Sequence, residues 1–134
     1  MTAGAAGASR RPVLVADDDR DIRETVRELL ELEGWPVVTA RNGAEALEAM
    51  RRTRPALVLL DLVMPVMDGE EVCRRCQGDP ELADIPVVIV SAAVGREERV
   101  RRLGAAGSLE KPVRVDTLLD VVRRYCGAPE PGPP

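Results

Sequence analysis

Four short runs of consecutive apolar residues constrain the fold of this chain more than any other feature. They read PVLVA, WPVVTA, ALVLLD and IPVVIVS, and they lie at residues 12–16, 35–40, 56–61 and 85–91. Each run is rich in Val, Leu and Ile and is apolar on both faces, which is typical of strands in a buried parallel sheet. A weaker fifth strand is predicted at residues 107–109.

Helical patterns lie between these predicted strands. The first has apolar residues at the spacing of one helix face, namely Ile22, Val26, Leu29 and Leu30. Its DIRE segment at residues 21–24 is a candidate capping box, and Gly34 is the expected stop. Further helices are predicted to begin at Gly43, Gly69, Arg96 and Asp116. Strands and helices alternate five times, which predicts a doubly wound α/β fold with helices on both faces of a parallel sheet.

Length and charge limit the functions open to the chain. Its 134 residues, 45% of them hydrophobic, suit one compact domain. The net charge of -4 argues against nonspecific binding to nucleic acid or to an anionic membrane, since both need a basic face. No apolar run approaches the ~18 residues of a membrane span, and the first residues lack the order of a signal peptide. A cytoplasmic protein is therefore expected.

The ends and the cysteines add further expectations. Residues 1–10 are small and polar and residues 127–134 are proline-rich, so both tails are expected to be disordered around a domain at residues 11–126. Cys73 and Cys76 of the CRRC segment would share a helix face, but without histidine or a second pair they cannot close a zinc site. Reduced, packed thiols are the better interpretation. The absence of histidine also excludes a Ser-His or Cys-His nucleophile pair and a phosphohistidine on this chain.

Polar residues follow the predicted strands where each strand ends. Asp17 and Asp18 follow the first, Asp61 ends the third, Ser91 ends the fourth, and Lys111, the only lysine, follows the fifth. Ligands of doubly wound sheets bind at this edge. Three carboxylates gathered there would repel one another unless a hard cation neutralised them, and Mg²⁺ suits a few carboxylates, waters and a phosphate. A lysine opposite them would bind the remaining anionic oxygens.

These pieces together resemble the receiver domain of two-component response regulators over residues 11–126. The resemblance rests on DD after the first strand, DLVMPVMDG after the third, SA after the fourth and KP after the fifth, in that order. It implies a flavodoxin-like (CheY-like) sheet of five parallel strands in the order 2-1-3-4-5 with five helices.

The resemblance also implies the roles of the polar residues. Asp61 would be the phosphoacceptor that attacks the phosphohistidine of a sensor histidine kinase or phosphotransfer protein. Asp18, Asp61 and the backbone carbonyl of Val63 would ligate Mg²⁺ directly, while Asp17 would hold a coordinated water. Lys111 would pair with one phosphoryl oxygen.

Two further features of the site are implied in the same way. The Ser91 hydroxyl would donate to another phosphoryl oxygen once the group arrives. The bond before Pro112 would be cis, although the sequence alone does not determine the isomer.

Blander interpretations exist for each piece. Asp17, Asp18 and Asp19 suit a solvated loop and helix cap, Ser91 suits a cap, and Lys111 suits a surface base. For Asp61 the alternative is a surface turn involving the Asp68-Gly69 dipeptide.

The chain departs from the family pattern at several positions. Ser108 stands where an aromatic residue usually couples phosphorylation to the output face, and Val113 replaces a frequent phenylalanine. The stretch from Ser91 to Lys111 is about two residues shorter than usual, and the difference is expected in the fourth helix. Val63 and Ala93 occupy places that tune the lifetime of the acyl phosphate in this family. Neither side chain can orient an attacking water, which predicts slow self-dephosphorylation.

The expected function is a phosphoacceptor that catalyses its own phosphorylation and dephosphorylation and signals by protein contact. Because only a proline-rich tail follows Tyr125, output is expected to run through an unknown protein partner unless the sequence is part of a longer protein. The expected state is a monomer or a phosphorylation-dependent dimer. Two alternatives stay open: a receiver-like interaction module that works without phosphate, and a Mg²⁺-dependent phosphohydrolase that uses Asp61 as its nucleophile.

Overall fold

A computed structural model describes residues 11–92 and 96–128 as a sheet of five parallel strands with five helices. The strands are β1 (Val13–Ala16), β2 (Val37–Ala40), β3 (Leu57–Asp61), β4 (Val87–Ser91) and β5 (Gly107–Glu110). The helices are α1 (Arg20–Glu33), α2 (Gly43–Thr53), α3 (Gly69–Gln77), α4 (Arg96–Leu103) and α5 (Val115–Cys126). The strand order is β2-β1-β3-β4-β5, which confirms the predicted topology.

Prolines explain why three strands, β1, β2 and β4, begin later than the apolar runs that predict them. Pro12, Pro36 and Pro86 precede strands and lack the N–H that a ladder needs. Their carbonyl oxygens still accept hydrogen bonds, from Ala56 and Val13 at 2.9 Å and from Val58 at 3.0 Å. Each proline therefore lies at the start of the sheet as an acceptor only.

The sheet alternates its side chains between two apolar layers. Strand residues such as Leu14 and Leu60 pack against α2, α3 and α4. Their neighbours Val15 and Leu59 face the other way and pack with residues of α1 and α5. Because both faces are covered, the central strands are buried throughout, which is why they appear as unbroken apolar runs.

The start of α1 differs from the prediction. Asp19 is the N-cap, and its Oδ1 accepts hydrogen bonds from the backbone N–H groups of Asp21 and Ile22 at 2.9 and 3.2 Å. The predicted capping box at residues 21–24 is therefore wrong, because the helix already begins at Arg20. Gly34 ends the helix as expected, with a φ of 106° that favours glycine.

The cysteines of the CRRC segment are packed, as expected, and the two aromatic residues also have packing roles. Cys73 and Cys76 are buried, and the Sγ of Cys76 lies 3.7 Å from the Sδ of Met50. Trp35 is buried and donates from its indole N–H to the carbonyl oxygen of Gly127 at 3.2 Å. Tyr125 packs at the edge of the same apolar layer.

Some expectations concern other parts of the chain. Most of both tails and Ala93 lie outside the described residues. Within residues 11–92 and 96–128, the helices are all too short or too polar to cross a membrane.

Candidate phosphoryl and metal site

The carboxyl ends of β1, β3, β4 and β5 bring the polar residues to one edge of the sheet. Asp17 directly follows β1, Asp61 and Ser91 are the last residues of β3 and β4, and Lys111 directly follows β5. Because all strands are parallel and β3 lies at the centre, residues up to 94 positions apart in sequence lie at the same edge of the sheet. The sequence-predicted residues are thus placed on the same edge.

Three carboxylates form a compact cluster at this edge. Oxygen atoms of Asp17, Asp18 and Asp61 lie within 4.8 Å of one another. Asp17 and Asp61 are only 4% and 6% exposed, whereas Asp18 is exposed. Ligand oxygens on opposite sides of a Mg²⁺ ion are about 4.2 Å apart, because each lies about 2.1 Å from the ion. The donor types and their spacing therefore fit Mg²⁺.

Backbone hydrogen bonds hold the two buried carboxylates. Oδ1 of Asp17 accepts from the backbone N–H of Asp19 at 2.9 Å, and Oδ1 of Asp61 accepts from that of Val63 at 3.1 Å. In both residues this leaves the second oxygen, Oδ2, to face the lysine. Local turns thus aim both side chains before any ion binds.

Lys111 lies between the two buried carboxylates. Its Nζ is 3.3 Å from Oδ2 of Asp61 and 3.5 Å from Oδ2 of Asp17. Burial alone would lower the pKa of Lys111, but the charges of Asp17 and Asp61 outweigh burial and raise it. Burial raises the pKa of Asp17, with a further contribution from the Asp61 charge, while the Asp19 N–H and Lys111 oppose the rise. One ammonium is thus shared by two carboxylates.

Ser91 and the end of β5 are held together. The backbone N–H of Lys111 donates to the carbonyl oxygen of Ser91 at 3.1 Å, and Ser91 is buried. The Lys111–Pro112 peptide bond is cis. Lys111 therefore leaves the sheet beside the end of β4.

The loop after Asp61 depends on two glycines that were predicted only as helix starts and whose close backbone contacts the sequence did not reveal. A Cβ atom on Gly69 would lie 2.6 Å from the carbonyl oxygen of Asp61, and one on Gly43 would lie 2.2 Å from that of Met67. The Asp68-Gly69 dipeptide does not form the surface turn considered above, since the Oδ1 of Asp68 caps α3 by accepting from the N–H of Glu71 at 3.0 Å. Only the close approach of the β3 end in three dimensions reveals why glycine is required.

Val66 marks a strained point in the same loop. Its φ is 68°, and the backbone N–H of Met67 donates to the carbonyl oxygen of Pro65 at 2.7 Å across it, which forms a γ-turn. A β-branched residue rarely adopts this conformation. Val66 is also 83% exposed, so no packing of its side chain offsets the strain.

A doubly wound sheet of order 2-1-3-4-5, with three carboxylates and a lysine at its carboxyl edge, defines a receiver domain. Residues 13–123 match the family described as the response regulator receiver domain. The chain belongs to this family and is a receiver domain of two-component signalling.

Known relatives agree with this assignment. The chain is 34% identical over 119 residues to the polar-differentiation response regulator DivK of Brucella anthropi, with 87% of this chain and 97% of that protein covered. It is 40% identical over 113 residues to the response regulator MprA of Mycobacterium leprae, covering 83% of this chain and 49% of that protein. The chain thus spans about half the length of the MprA relatives.

Solved structures show the same fold. The Vibrio cholerae chemotaxis protein CheY4 aligns with a TM-score of 0.79 at 29% identity, covering 87% of this chain and 99% of that one. The receiver domain of NtrX from Brucella abortus aligns with a TM-score of 0.76 at 32% identity, covering 85% and 97%.

Proposed function

We propose that this receiver domain accepts a phosphoryl group on Asp61 from the phosphohistidine of a sensor histidine kinase or phosphotransfer protein. The observation that carries this function is the position of Lys111, whose Nζ lies 3.3 Å from Oδ2 of Asp61 and 3.5 Å from Oδ2 of Asp17. A cation in this place is ready to pair with an anionic group that arrives at Asp61. The family assignment supports the same function.

The proposed metal set comprises Asp18, Asp61 and the backbone carbonyl of Val63 as direct ligands of Mg²⁺, with Asp17 binding through a water. The carboxylate cluster supports it, because its oxygens lie within 4.8 Å of one another. When bound, the ion supplies positive charge that neutralises the phosphoryl oxygens. Without it, Lys111 is the cation, among the described residues, that pairs with both buried carboxylates.

The protein's own residues position the reaction. An oxygen of the Asp61 carboxylate attacks phosphorus, the P–N bond to the donor imidazole breaks, and the bond's electron pair leaves with the imidazole. Lys111 pairs with one phosphoryl oxygen and the Ser91 hydroxyl donates to another. Because the charge is spread over these oxygens, positioning and electrostatic pairing provide most of the catalysis. The domain therefore promotes its own phosphorylation and, by water attack, its dephosphorylation.

The state of Asp61 is proposed to be reported by contact with a protein partner, through a population shift between two conformations. Ser108 lies in β5 opposite Ile89 of β4, where it cannot act as an aromatic switch. The output partner must therefore sense other parts of the surface. We place the domain in the cytoplasm, since Cys73 and Cys76 are thiols and not a disulfide.

Intact-mass spectrometry tests the function. The protein is incubated with acetyl phosphate with and without Mg²⁺, as wild type, Asp61→Asn and Asp120→Asn. Asp120 is an exposed aspartate of α5, so its variant is a matched control. One phosphoryl adduct is expected in wild type and Asp120→Asn with Mg²⁺, and none in Asp61→Asn.

Other results would change the assignment. An adduct that persists in Asp61→Asn would place the acceptor elsewhere. No adduct under any condition would favour an interaction module that works without phosphate. Repeated turnover of a small phosphoester would instead indicate a hydrolase.

A further inference from the structure

A cavity of about 620 Å³ lies between the sheet, α1 and the start of α5. Its floor contains Val15, Leu59 and Leu109, and its walls include Thr25 and Val26 from α1 and Leu118 from α5. Apart from Thr25 and four charged residues, the residues that line it are apolar. Pockets of roughly 300–1,000 Å³ with apolar walls and a few polar groups at one end are typical of small-molecule sites.

Strand geometry joins this cavity to the carboxylate site. Asp17, Asp61 and Lys111 each lie two residues beyond a floor residue, namely Val15, Leu59 and Leu109 respectively. Asp61 ends β3, and the other two directly follow β1 and β5 in the same extended direction. Side chains two residues apart in a strand point to the same face. The polar residues therefore form the end wall of the cavity and are not a separate surface.

Val113 helps to keep the cavity open. It lies beyond the cis Lys111–Pro112 bond, lines the cavity and is only half-buried. A larger side chain at this position would project into the space beside Leu118. The opposite wall is also accessible, because Ile22 and Thr25 of α1 are exposed.

The charge at the end wall favours a cation. Asp17, Asp21 and Asp61 line the cavity with Lys111 as the only cation among the lining residues. Asp18 adds a fourth carboxylate beside them. Arg23 lies nearby and donates to the backbone oxygen of Asp17 at 2.9 Å, but the carboxylates still outnumber the cations.

We propose that this cavity binds a small molecule with an apolar body and one cationic end group, such as a primary alkyl ammonium. The body occupies the space between α1 and α5, and the ammonium pairs with the carboxylates at the end wall. Binding excludes Mg²⁺ from the same carboxylates and thereby opposes phosphorylation. This exclusion of Mg²⁺ rests on the metal site in the proposed function, whereas the binding itself does not.

Two-dimensional amide NMR of the metal-free protein tests the proposal with three probes that share a six-carbon chain and differ in the end group. They are hexylammonium, hexanol and hexanoate. Hexylammonium is expected to bind roughly fivefold tighter than hexanol and hexanoate weakest. Shifts should centre on Val15, Leu59, Leu109 and Val113. Butylammonium should bind more weakly, by roughly fourfold for each methylene removed.

Variants locate the site. Val113→Phe fills the cavity and is expected to weaken hexylammonium binding roughly tenfold. Val115→Phe makes the same change two residues later, at an exposed position outside the lining, and should bind as wild type does. Thr25→Phe fills the cavity from an exposed position on α1 and should repeat the loss even if Val113→Phe folds poorly.

Several outcomes would overturn the proposal. Equal binding of the three probes would show that the carboxylates do not select the end group. Tighter binding of hexanoate would show that the site prefers an anion. Equal losses in Val113→Phe and Val115→Phe, or none in either, would place the ligand elsewhere. Millimolar Mg²⁺ should weaken hexylammonium binding. If Mg²⁺ shifts amide signals by itself but does not compete with hexylammonium, the ammonium does not lie at the carboxylates. A protein that binds hexylammonium but takes no phosphoryl group would contradict the proposed function alone.

Discussion

The N-terminal residue of α3, Gly69, lies against the phosphoacceptor candidate Asp61. A Cβ atom at Gly69 would be 2.6 Å from the carbonyl oxygen of Asp61 and 2.8 Å from the Cα of Leu62. Both contacts are with backbone or Cα atoms, so a larger residue must displace the end of β3 or the start of α3. The helix α3 can therefore lie this close to the site only because Gly69 has no Cβ atom.

Gly69→Ala is therefore expected to lower the free energy of unfolding by about 1–3 kcal/mol in urea denaturation. Gly78→Ala is the matched control, since its Cβ would meet only ordinary contacts at 3.7 Å or more and its backbone is right-handed. That variant should be neutral or slightly more stable. Similar losses in both variants would contradict the close approach at Gly69.

Val66→Gly is expected to stabilise the protein by about 1 kcal/mol. Valine at a φ of 68° is strained, and glycine adopts this conformation freely, although it costs more backbone entropy on folding. Val63→Gly in the same loop is the control: Val63 is 79% exposed and is not among the described residues with positive φ. Urea denaturation should show a loss or no gain for Val63→Gly. A loss of stability in Val66→Gly would indicate that its side chain makes a contact important to the fold.

Asp17→Asn is expected to raise the stability of the metal-free protein at pH 7 by about 1 kcal/mol, because it removes a buried charge beside Asp61. The folded-state pKa of Asp17 is raised, so folding favours its protonated form. Its contribution to stability is present below the ordinary pKa and is lost as the pH rises through the folded value. The gain in Asp17→Asn should therefore disappear at low pH, as measured by urea denaturation from pH 3 to pH 7.

The matched control is Asp120→Asn, which changes an exposed aspartate and should show little gain at either pH. Mg²⁺ should stabilise wild type more than Asp17→Asn. A gain that is constant with pH would show that the Asp17 charge is not its cause.

Stability is expected to fall above pH 9 because of the buried thiols. Burial raises the pKa of Cys73 to about 12 and that of Cys76 to about 11, from an ordinary value of 9.0. Folding favours the protonated thiols, so their contribution is complete below pH 9 and is lost as the pH rises towards the folded values. Each thiol changes the free energy of unfolding by up to about 1.4 kcal/mol per pH unit in this range.

The double variant Cys73→Ala/Cys76→Ala should be less stable at pH 7, because it loses packed side chains. Above pH 9 its free energy of unfolding should change less with pH than that of wild type. Lys111 contributes in the same direction, since its folded pKa is also raised. A slope equal to that of wild type would refute the role of the thiols.

Phosphorylated Asp61 is expected to lose its phosphoryl group slowly, with a half-life of minutes or longer after the donor is removed. Val63 is an exposed hydrocarbon two residues after Asp61, so its side chain cannot orient a water for attack. Intact-mass spectrometry over time measures the half-life. Val63→Asn should shorten it, while a half-life of seconds in wild type would contradict the prediction.

The strands were predictable from sequence because a strand that is buried on both faces consists of consecutive apolar residues. Runs such as the one ending at Asp61 are apolar without interruption, and their order along the chain was enough to place Asp17, Asp61 and Lys111 at one edge. The boundaries were less predictable. Prolines lack the N–H that a strand needs and so delay the strand starts, and Asp19 rather than Asp21 caps α1. Small differences in hydrogen bonding therefore decide between neighbouring residues.

Tertiary structure alone decided the contacts between distant residues. Lys111 and Asp61 are 50 residues apart, and their 3.3 Å separation follows from the positions of β3, β4 and β5 in the sheet. The restriction on Gly69 and the cavity beside Val113 likewise arise where separate elements meet. Sequence periodicity records which residues are buried, because burial depends on the local face of each element. It does not record distances between elements, because these depend on strand order, register and the packing of helices that are far apart in the chain.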